Sequence, residues 1–249
     1  MKLSCDMAFQ PPQKRNYRIV SNKPIAKDQF ELSLAPDDGQ VMFDFIPGQW
    51  VMVELPDPAG GKAWKSAYSI SNAPHEAKGA FEIAVKIDGD FTKRLEKLSI
   101  GERVVVQGPY GVFTLKPGEA PLVIFAGGVG FTPFRSMIRS LVAVKDPRPV
   151  ILFYSNRVQA EIAYAHEFRE LAATHPLFKP VFILTREAPQ DWDGETRRLD
   201  RDMFLSYVPH PQQAEYLMCG SRSFMEAVQK LLQEEGVDTK TRLRKELFD

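Results

Sequence analysis

The feature that most constrains this chain is a short apolar run ending in glycines and a proline, at residues 122–133. Residues 122–125 are continuously apolar, as expected for a strand that is covered on both faces. Pro133 suits the first position of a helix, where no backbone N–H is needed. Apolar residues then recur at helical spacing, namely Phe134, Met137, Ile138, Leu141 and Val142. The run therefore predicts a buried strand, a tight turn and a helix.

The predicted turn contains three glycines, Gly127, Gly128 and Gly130. A turn of this kind leaves backbone N–H groups and the positive end of a helix free to bind a pyrophosphate. Here the spacing is Gly-x-Gly-x-x-Pro, not the full Gly-x-Gly-x-x-Gly fingerprint of dinucleotide sites, and glycine-rich turns also serve close packing. Taken alone, the turn is compatible with both interpretations.

The first half of the chain has the texture of short strands, in which apolar and polar residues alternate between turns rich in glycine and proline. The predicted strands cover residues 17–20, 30–34, 50–55, 67–70, 81–86 and 103–107, with one helix at 91–98. Six strands at this spacing are typical of a small antiparallel barrel. The proline- and glycine-containing segment 115–121 has the composition of a connection between domains.

The second half alternates buried strands with amphipathic helices, which is typical of a doubly wound α/β domain. Strands are predicted at 122–125, 150–154, 181–184 and 216–219, with helices after Pro133, at 160–173 and after the cap residue Ser221. We therefore expect an N-terminal six-stranded antiparallel barrel at residues 1–116. A doubly wound domain with a parallel sheet is expected at residues 121–249.

Glycine and polar residues stand where the predicted parallel strands end, at 127–128, 154–157, 185–186 and 219–220. Ligands of such sheets bind at the carboxyl ends of the strands. These residues should surround one crevice, which favours the nucleotide interpretation of the glycine-rich turn.

Composition excludes several classes of protein. Lysine plus arginine and aspartate plus glutamate each number 32, so no overall basic field indicates a nucleic-acid partner. Two cysteines, Cys5 and Cys219, are too few for an iron–sulfur cluster or a cysteine zinc site built by this chain alone, and the four histidines lack metal-ligand spacing. We expect no metal site, no membrane partner and, since no apolar run approaches a membrane span or a signal peptide, a cytoplasmic location.

Six motifs, in order along almost the whole chain, resemble those of the ferredoxin–NADP⁺ reductase family of two-domain flavoproteins. They are residues 45–50, 67–71, 89–92, 101–113, 126–133 and 217–220. The resemblance implies that the barrel binds FAD and that the α/β domain binds NADPH, with NADH as the alternative. It further implies transfer of a hydride from NADPH to flavin N5, after which electrons leave one at a time.

The resemblance also implies roles for residues nearest the reaction. Tyr68 would stack on the flavin ring, and the Ser69 hydroxyl would lie near N5. Thr132 and Cys219 would flank the nicotinamide, and Phe248 in the terminal Glu-x-aromatic segment would cover the ring until nicotinamide displaces it. The implied cofactor-binding set is Lys65, Ser66, Ala67, Tyr68, Ser69, Ile70, Lys86, Gly89, Phe91, Thr92, Gly128, Gly130, Thr132, Pro133, Asn156, Arg157, Arg186, Arg198, Cys219 and Gly220.

One position departs from the family pattern. Ser66 stands where the family has an arginine that neutralises the flavin pyrophosphate. Lys62 and Lys65 are close, but a lysine lacks the bidentate fork of arginine, so we expect looser flavin binding and keep FMN as an alternative. Arg186, with Arg197 and Arg198 further along the chain, favours the 2′-phosphate of NADPH, while Glu187 beside Arg186 argues the other way.

The acceptor implied by the resemblance is a separate ferredoxin or flavodoxin. Basic residues that would form a rim for such an acidic partner are Lys62, Lys65, Lys93, Arg94, Lys97, Lys240, Arg242, Arg244 and Lys245. The alternatives are an oxygenase component, free flavin or a ferric chelate as acceptor. A non-catalytic flavin-binding regulator is the further alternative, which the serine at position 66 favours.

Overall fold

The computed structural model describes residues 11–57 and 59–248, so Cys5 and Asp249 lie outside the described residues. The described residues of the first half form six strands and one helix: β1 (Gln13–Ala26), β2 (Gln29–Pro36), β3 (Trp50–Leu55), β4 (Trp64–Ser69), β5 (Phe81–Lys86), α1 (Gly89–Glu96) and β6 (Arg103–Tyr110). Every neighbouring pair in this sheet is antiparallel, in the order β4-β3-β6-β1-β2-β5.

A single antiparallel bridge between Ile70, just beyond β4, and Ile83 in β5 joins the two outer strands of this sheet. The backbone N–H of Ser71 continues the contact by donating to the Glu82 carbonyl oxygen at 2.8 Å. The sheet thereby closes on itself, which confirms the predicted six-stranded barrel. Closure removes the two unpaired edges that an open sheet would present to other chains.

The barrel interior is filled by the apolar half of each alternating strand. Fully buried members include Tyr17, Leu32, Val51, Ile83 and Val104, one from each of five strands. Burying such side chains contributes about 1.5–3 kcal/mol each, which makes this cluster the main source of stability of the barrel. The alternation that predicted the strands is thus the alternation between core and surface.

The second half forms a parallel sheet with five strands, in the order β11-β10-β7-β8-β9. Its elements are β7 (Leu122–Gly127), α2 (Thr132–Ala143), β8 (Val150–Asn156), α3 (Ala165–Thr174), β9 (Phe178–Leu184), α4 (Arg201–Tyr207), β10 (Glu215–Gly220), α5 (Arg222–Glu234) and β11 (Leu243–Leu247). The chain adds β8 and β9 on one side of β7, then returns to add β10 and β11 on the other. This confirms the predicted doubly wound sheet and creates a switch point between β7 and β10.

By their contacts, the described residues group into two compact units. One contains the barrel, up to Lys116, together with Thr132–Val144, which includes α2. The other contains Pro117–Phe131 and the chain from Lys145 onward. Helix α2 therefore packs with the barrel, although it lies in the sequence range expected for the α/β domain.

Several elements differ from the sequence prediction. The helix predicted at 160–173 begins only at Ala165, because Tyr164 adopts a left-handed conformation with φ 57° and residues 159–161 form a separate 3₁₀ turn. Strand β1 is longer than predicted, since its polar second half pairs with β2 despite lacking an apolar alternation. Helix α4 and strand β11 were not predicted, and β11 pairs in parallel with β10.

Across the described parts of the chain, no helix combines the length and the apolar composition that crossing a membrane requires.

Gly48 provides a test of close packing in the barrel unit. It has φ +100°, and a Cβ there would lie well inside 3.0 Å of the Phe113 carbonyl oxygen and the Met137 side chain. We expect Gly48→Ala to lower the free energy of unfolding by about 3–4 kcal/mol, because backbone strain adds to overpacking. Urea denaturation of wild type and variant measures this loss of unfolding free energy.

Gly79→Ala is the matched control, because Gly79 has φ +92° and nothing lies within 4 Å of the position that a Cβ would occupy. It should cost only the backbone strain, about 1 kcal/mol. Equal losses in the two variants would contradict the packing role of Gly48.

Candidate functional site

Strand β4 carries two of the residues that the family resemblance assigns to the flavin. Tyr68 lies opposite Val51 of β3 in the antiparallel register, and its partly buried ring packs against the barrel core cluster. The ring also lies nearly parallel to that of Phe91 in α1, with centroids 6.5 Å apart and an interplanar angle of 14°. The structure therefore brings the 67–71 motif and the 89–92 motif together.

The Tyr68 phenol is held in its neutral form. Burial raises its pKa to about 12. Its hydroxyl oxygen is buried and has no hydrogen-bond partner among the described residues. Ser66, which stands where the family has an arginine, is half-buried on the same strand. At neutral pH, Tyr68 offers an uncharged aromatic face.

The Ser69 side chain is buried, with 2% of the residue exposed. Its hydroxyl oxygen has no hydrogen-bond partner among the residues that the structure describes. Buried polar groups are almost always hydrogen-bonded, so an orphaned hydroxyl in the residue that follows Tyr68 is suited to a polar atom of a flat ligand. By this observation, the residues of β4 fit an isoalloxazine ring.

The start of α1 is a turn built around Thr92. Its hydroxyl accepts a hydrogen bond from the Asp88 N–H at 2.7 Å and donates to the Gly89 carbonyl oxygen at 3.1 Å. Gly89 has φ +83° and open space around it. Thr92 therefore shapes the turn, which leaves the backbone N–H groups of the first helical turn to face an anion. The exposed Asp90 carboxylate in the same turn weakens that site.

The three glycines of the turn differ in the space around them. A Cβ on Gly130 would lie well inside 3.0 Å of the Cys219 carbonyl oxygen, and one on Gly127 would lie 2.9 Å from a ring carbon of Phe224. Gly128, in contrast, has φ +53° and nothing within 4 Å. The packing interpretation is confirmed for Gly127 and Gly130, which allow close approach, whereas the space around Gly128 leaves the ligand-binding interpretation a prediction.

Cys219 and Glu246 lie side by side at the carboxyl ends of β10 and β11, as partners in the parallel register. Burial, with the neighbouring Glu246 charge, raises the pKa of the Cys219 thiol well above its ordinary value. A thiol that stays protonated is a small uncharged group and a poor nucleophile.

Glu246 is a candidate that the sequence prediction did not place among the site residues. Burial raises the pKa of its carboxyl to about 7. Its Oε2 atom is buried and has no hydrogen-bond partner in the described part of the chain. The terminal Glu-x-aromatic pattern was the only signal for it, because nothing local in the sequence predicts β11.

The ends of β8 and β9 run side by side beyond the strands. The Thr185 N–H donates to the Asn156 carbonyl oxygen at 3.0 Å, and the Arg186 N–H donates to that of Arg157 at 2.9 Å. Both arginines are exposed. The Glu187 carboxylate accepts a hydrogen bond from the Gln159 N–H at 2.6 Å, so it is engaged with the backbone.

The remaining predicted residues are more scattered. Lys65, Ala67, Lys86 and Arg198 are exposed, whereas Thr132 and Pro133 are buried at the start of α2. The Ile70 side chain is fully buried in the barrel core, and its N–H donates to the Gln49 carbonyl oxygen at 2.9 Å. Phe248 follows β11 directly and is half-buried. Among the described residues, no group of three or more histidine, cysteine, aspartate or glutamate side chains is arranged to hold a metal ion.

Comparison with known proteins identifies two domains. An oxidoreductase FAD-binding domain matches residues 16–115, and an oxidoreductase NAD-binding domain matches residues 124–230. One subunit of the Na⁺-translocating NADH-quinone reductase of Pseudomonas aeruginosa is 29% identical over 95% of this chain and 71% of that protein. A flavohemoprotein of Bordetella pertussis is 30% identical over 94% of this chain, which spans 60% of that protein.

Solved structures agree with this assignment. The cytochrome P450 reductase of Amycolatopsis is 25% identical with a TM-score of 0.83, over 98% of this chain and 73% of that one. A ferredoxin NADP⁺ reductase of Neisseria gonorrhoeae, solved with FAD and NADP, has a TM-score of 0.78 over 94% of this chain and 98% of that one. At 17% identity, the second likeness concerns the fold alone.

The buried Glu246 carboxyl makes stability depend on pH. Its raised pKa of about 7 means that the folded state holds a proton that the unfolded state releases from about pH 4.5. The contribution of this protonated carboxyl to the free energy of unfolding is therefore fully present at low pH and is lost as pH rises through 7. Glu246→Gln removes the titrating group. The free energy of unfolding of the variant minus that of wild type should therefore be about 1–2 kcal/mol more positive at pH 8 than at pH 5, a value discounted for partial exposure.

Urea denaturation of wild type and variant at the two pH values measures this difference. The exposed Glu226, on α5, supplies the control Glu226→Gln. A Glu246→Gln effect that is the same at both pH values would show that the carboxyl does not titrate in this range.

Proposed function

This chain belongs to the ferredoxin–NADP⁺ reductase family of FAD- and NAD(P)H-binding oxidoreductases, and we propose that it reduces FAD with NADPH and passes the electrons to a separate ferredoxin or flavodoxin. The observation that carries the proposal is the orphaned, buried hydroxyl of Ser69, the residue that follows the neutral Tyr68, within the matched FAD-binding domain. When bound, FAD supplies an acceptor for the hydride of NADPH and a donor of single electrons.

We assign FAD binding to residues 1–116 and NADPH binding to residues 121–249, as the two matched ranges support. In the first, Tyr68 offers a flat face to the ring, and the Ser69 hydroxyl offers a hydrogen bond to N5. The backbone N–H groups at Gly89–Thr92 and the exposed Lys65 provide for the phosphates. With a serine and no arginine at position 66, the phosphates would be held by a point charge and backbone dipoles, which predicts modest affinity for FAD.

In the nucleotide domain, the open backbone at Gly128 is suited to the pyrophosphate. The protonated Cys219 thiol and the adjacent Gly220 provide a small, uncharged surface for the nicotinamide. Glu246 beside Cys219 holds or releases a proton near neutral pH. None of these groups acts as a nucleophile, since the chain's contribution is binding, orientation and exclusion of water.

The choice of NADPH rests on Arg157 and Arg186. Their backbones are hydrogen-bonded together at the ends of neighbouring strands, and both side chains are exposed. Two guanidinium groups at this edge are suited to the 2′-phosphate of NADPH. Glu187, the residue that would instead bind a ribose diol, has its carboxylate engaged by the Gln159 N–H.

The acceptor proposal rests on charge. Lys62, Lys65, Lys93 and Lys97 are exposed in the barrel unit, while the Arg94 guanidinium donates to the Pro56 carbonyl oxygen. Exposed lysines favour an acidic electron acceptor such as ferredoxin or flavodoxin. An oxygenase or P450 component is the second candidate, favoured by the likeness to the P450 reductase of Amycolatopsis. The cytoplasmic location expected from the sequence stays a prediction.

Ser69→Ala tests the observation on which the function depends. We expect it to lower the rate of flavin reduction by NADPH by about 10- to 100-fold while the bound FAD is retained, because one hydrogen bond to the reacting ring is lost. Anaerobic stopped-flow absorbance measures the rate. Ser33→Ala on β2 is the control, and an unchanged rate in Ser69→Ala would remove this hydroxyl from the mechanism.

Arg186→Ala tests the choice of nucleotide. Loss of one charge-assisted hydrogen bond to the 2′-phosphate should lower kcat/KM for NADPH by about 10- to 100-fold and leave NADH within about twofold. Steady-state reduction of ferricyanide with each nucleotide measures both values. Arg201→Ala, whose guanidinium pairs with Glu235, is the control. Equal losses with the two nucleotides would contradict the assignment.

A further inference from the structure

Helix α2 buries two kinds of surface, apolar and charged. Nine of its twelve residues are buried, and Arg135 is one of them with 5% of its surface exposed. Arg139 follows one turn later, so the two guanidinium groups leave the helix on the same face. Thr132, three residues before Arg135, begins that face. Burying a charged side chain is costly unless it is paired and hydrogen-bonded, so the partners of these arginines are informative.

Arg139 forms a bidentate pair with Glu76. Its Nε lies 2.8 Å from Oε1 and 2.7 Å from Oε2 of Glu76, and its Nη2 also contacts Oε1. Glu76 Oε2 in addition accepts a hydrogen bond from the Ala73 N–H at 3.0 Å. Burial opposes ionisation of Glu76, but the Arg139 hydrogen bonds outweigh it and lower the pKa of this carboxyl. The carboxylate therefore fixes the 73–76 turn and the arginine of α2 at the same time.

Arg135 reaches two carboxylates and a backbone oxygen. Its Nη1 lies 2.6 Å from Glu82 Oε2 and 3.6 Å from Oε2 of Glu31, which is 1% exposed. Lys23 Nζ lies 2.8 Å from the other oxygen of Glu31. The positive charges of Arg135 and Lys23 therefore balance the negative charges of the two carboxylates. The same Nη1 is 3.4 Å from the Ser71 carbonyl oxygen.

These contacts converge on the segment that follows the flavin strand. Ser71 lies two residues after Ser69, and Glu76 lies in the connection between β4 and β5. In β5, the Glu82 carbonyl oxygen accepts a hydrogen bond from the Ser71 N–H, and the Glu82 N–H donates to the Asn72 side chain at 2.8 Å. The charged face of α2 is therefore anchored to the backbone next to Ser69, within one compact unit.

Stability alone does not explain this arrangement. Replacing buried ion pairs by well-packed apolar side chains is often neutral or stabilising, whereas directional charge pairs specify the position of one element against another. Helix α2 already has an apolar side for packing, which includes Phe134, Met137 and Ile138. The charged face adds a fixed register to that packing.

We propose that Arg139 and Glu76, together with Arg135, Glu82 and Glu31, are positioning residues for hydride transfer. They hold the face of α2 that begins with Thr132 in register with the segment after Ser69, and thereby set the rate at which NADPH reduces the flavin. The inference rests on the proposed function. It assigns no contact with either cofactor to these five side chains.

The test uses the complete chain loaded with FAD and the variant Glu76→Gln. Glutamine keeps the size of the side chain and an oxygen for the Ala73 N–H, but it removes the charge that holds Arg139. We expect the limiting rate of flavin reduction by saturating NADPH to fall about 5- to 20-fold, since small displacements from a reactive geometry are costly. FAD content and the flavin absorption spectrum should not change.

Hydrogen–deuterium exchange supplies a readout that does not depend on catalysis. Amides of residues 132–143 should exchange faster in Glu76→Gln than in wild type. Asp38→Asn is the matched control, because Asp38 forms a bidentate pair with Arg15 elsewhere in the barrel unit, at 2.6 and 3.2 Å. It should leave both the reduction rate and the exchange of α2 unchanged. Arg139→Lys keeps the charge but loses the bidentate geometry of the guanidinium. Its reduction rate and its exchange of α2 should lie between those of wild type and Glu76→Gln.

The outcomes separate this inference from the proposed function. Unchanged exchange of α2 in Glu76→Gln would overturn it, and so would faster exchange with an unchanged reduction rate, which would make the pair purely structural. A wild-type flavin that NADPH does not reduce contradicts the proposed function. A wild type and a Glu76→Gln variant that are reduced equally fast contradict only the positioning role.

Discussion

The α/β unit depends on a close approach of backbone at the switch point of its sheet. The turn after β7 meets the end of β10 so closely that Gly130 has no room for a side chain beside the Cys219 carbonyl, and a Cβ on Gly220 would lie 3.1 Å from the Gly127 Cα. Any larger residue at these positions would separate the two strands. Because the strands meet here, the open backbone of Gly128, the Cys219 thiol and the Glu246 carboxyl belong to one end of one sheet.

Two of the three titratable groups assigned to the reacting ends of the cofactors carry no charge at neutral pH. Burial raises the pKa of Tyr68 to about 12, raises that of Cys219 well above its usual value and brings that of Glu246 to about 7. The Tyr68 phenol and the Cys219 thiol are therefore neutral at pH 7, whereas the Glu246 carboxyl is about half ionised there. Neutral groups suit chemistry in which the cofactors carry the reaction, because a fixed charge would favour one redox state of a ring over another. The exposed guanidinium groups of Arg157 and Arg186 have a phosphate as their proposed ligand.

Most of the fold could be predicted from the sequence, because its strands bury one face or two and therefore show a clear apolar pattern. The apolar run at 122–125 and the alternation at 81–86 are examples, and each lies in a strand at that place. What could not be predicted depends on local conformation or on distant partners. The left-handed Tyr164 delays α3, and β11 is a strand only because β10 lies beside it. Glu76 and Arg139 are 63 positions apart, so no local pattern joins them.

The central claim is that this chain transfers a hydride from NADPH to a bound flavin. The most direct test is an anaerobic titration of the purified, FAD-loaded protein with NADPH and, separately, NADH, followed through the visible flavin band. The account predicts that the band bleaches with about one equivalent of NADPH, whereas NADH is much less effective. A protein that binds no flavin, or whose flavin band neither nucleotide bleaches, would contradict it and indicate a regulatory member of the fold.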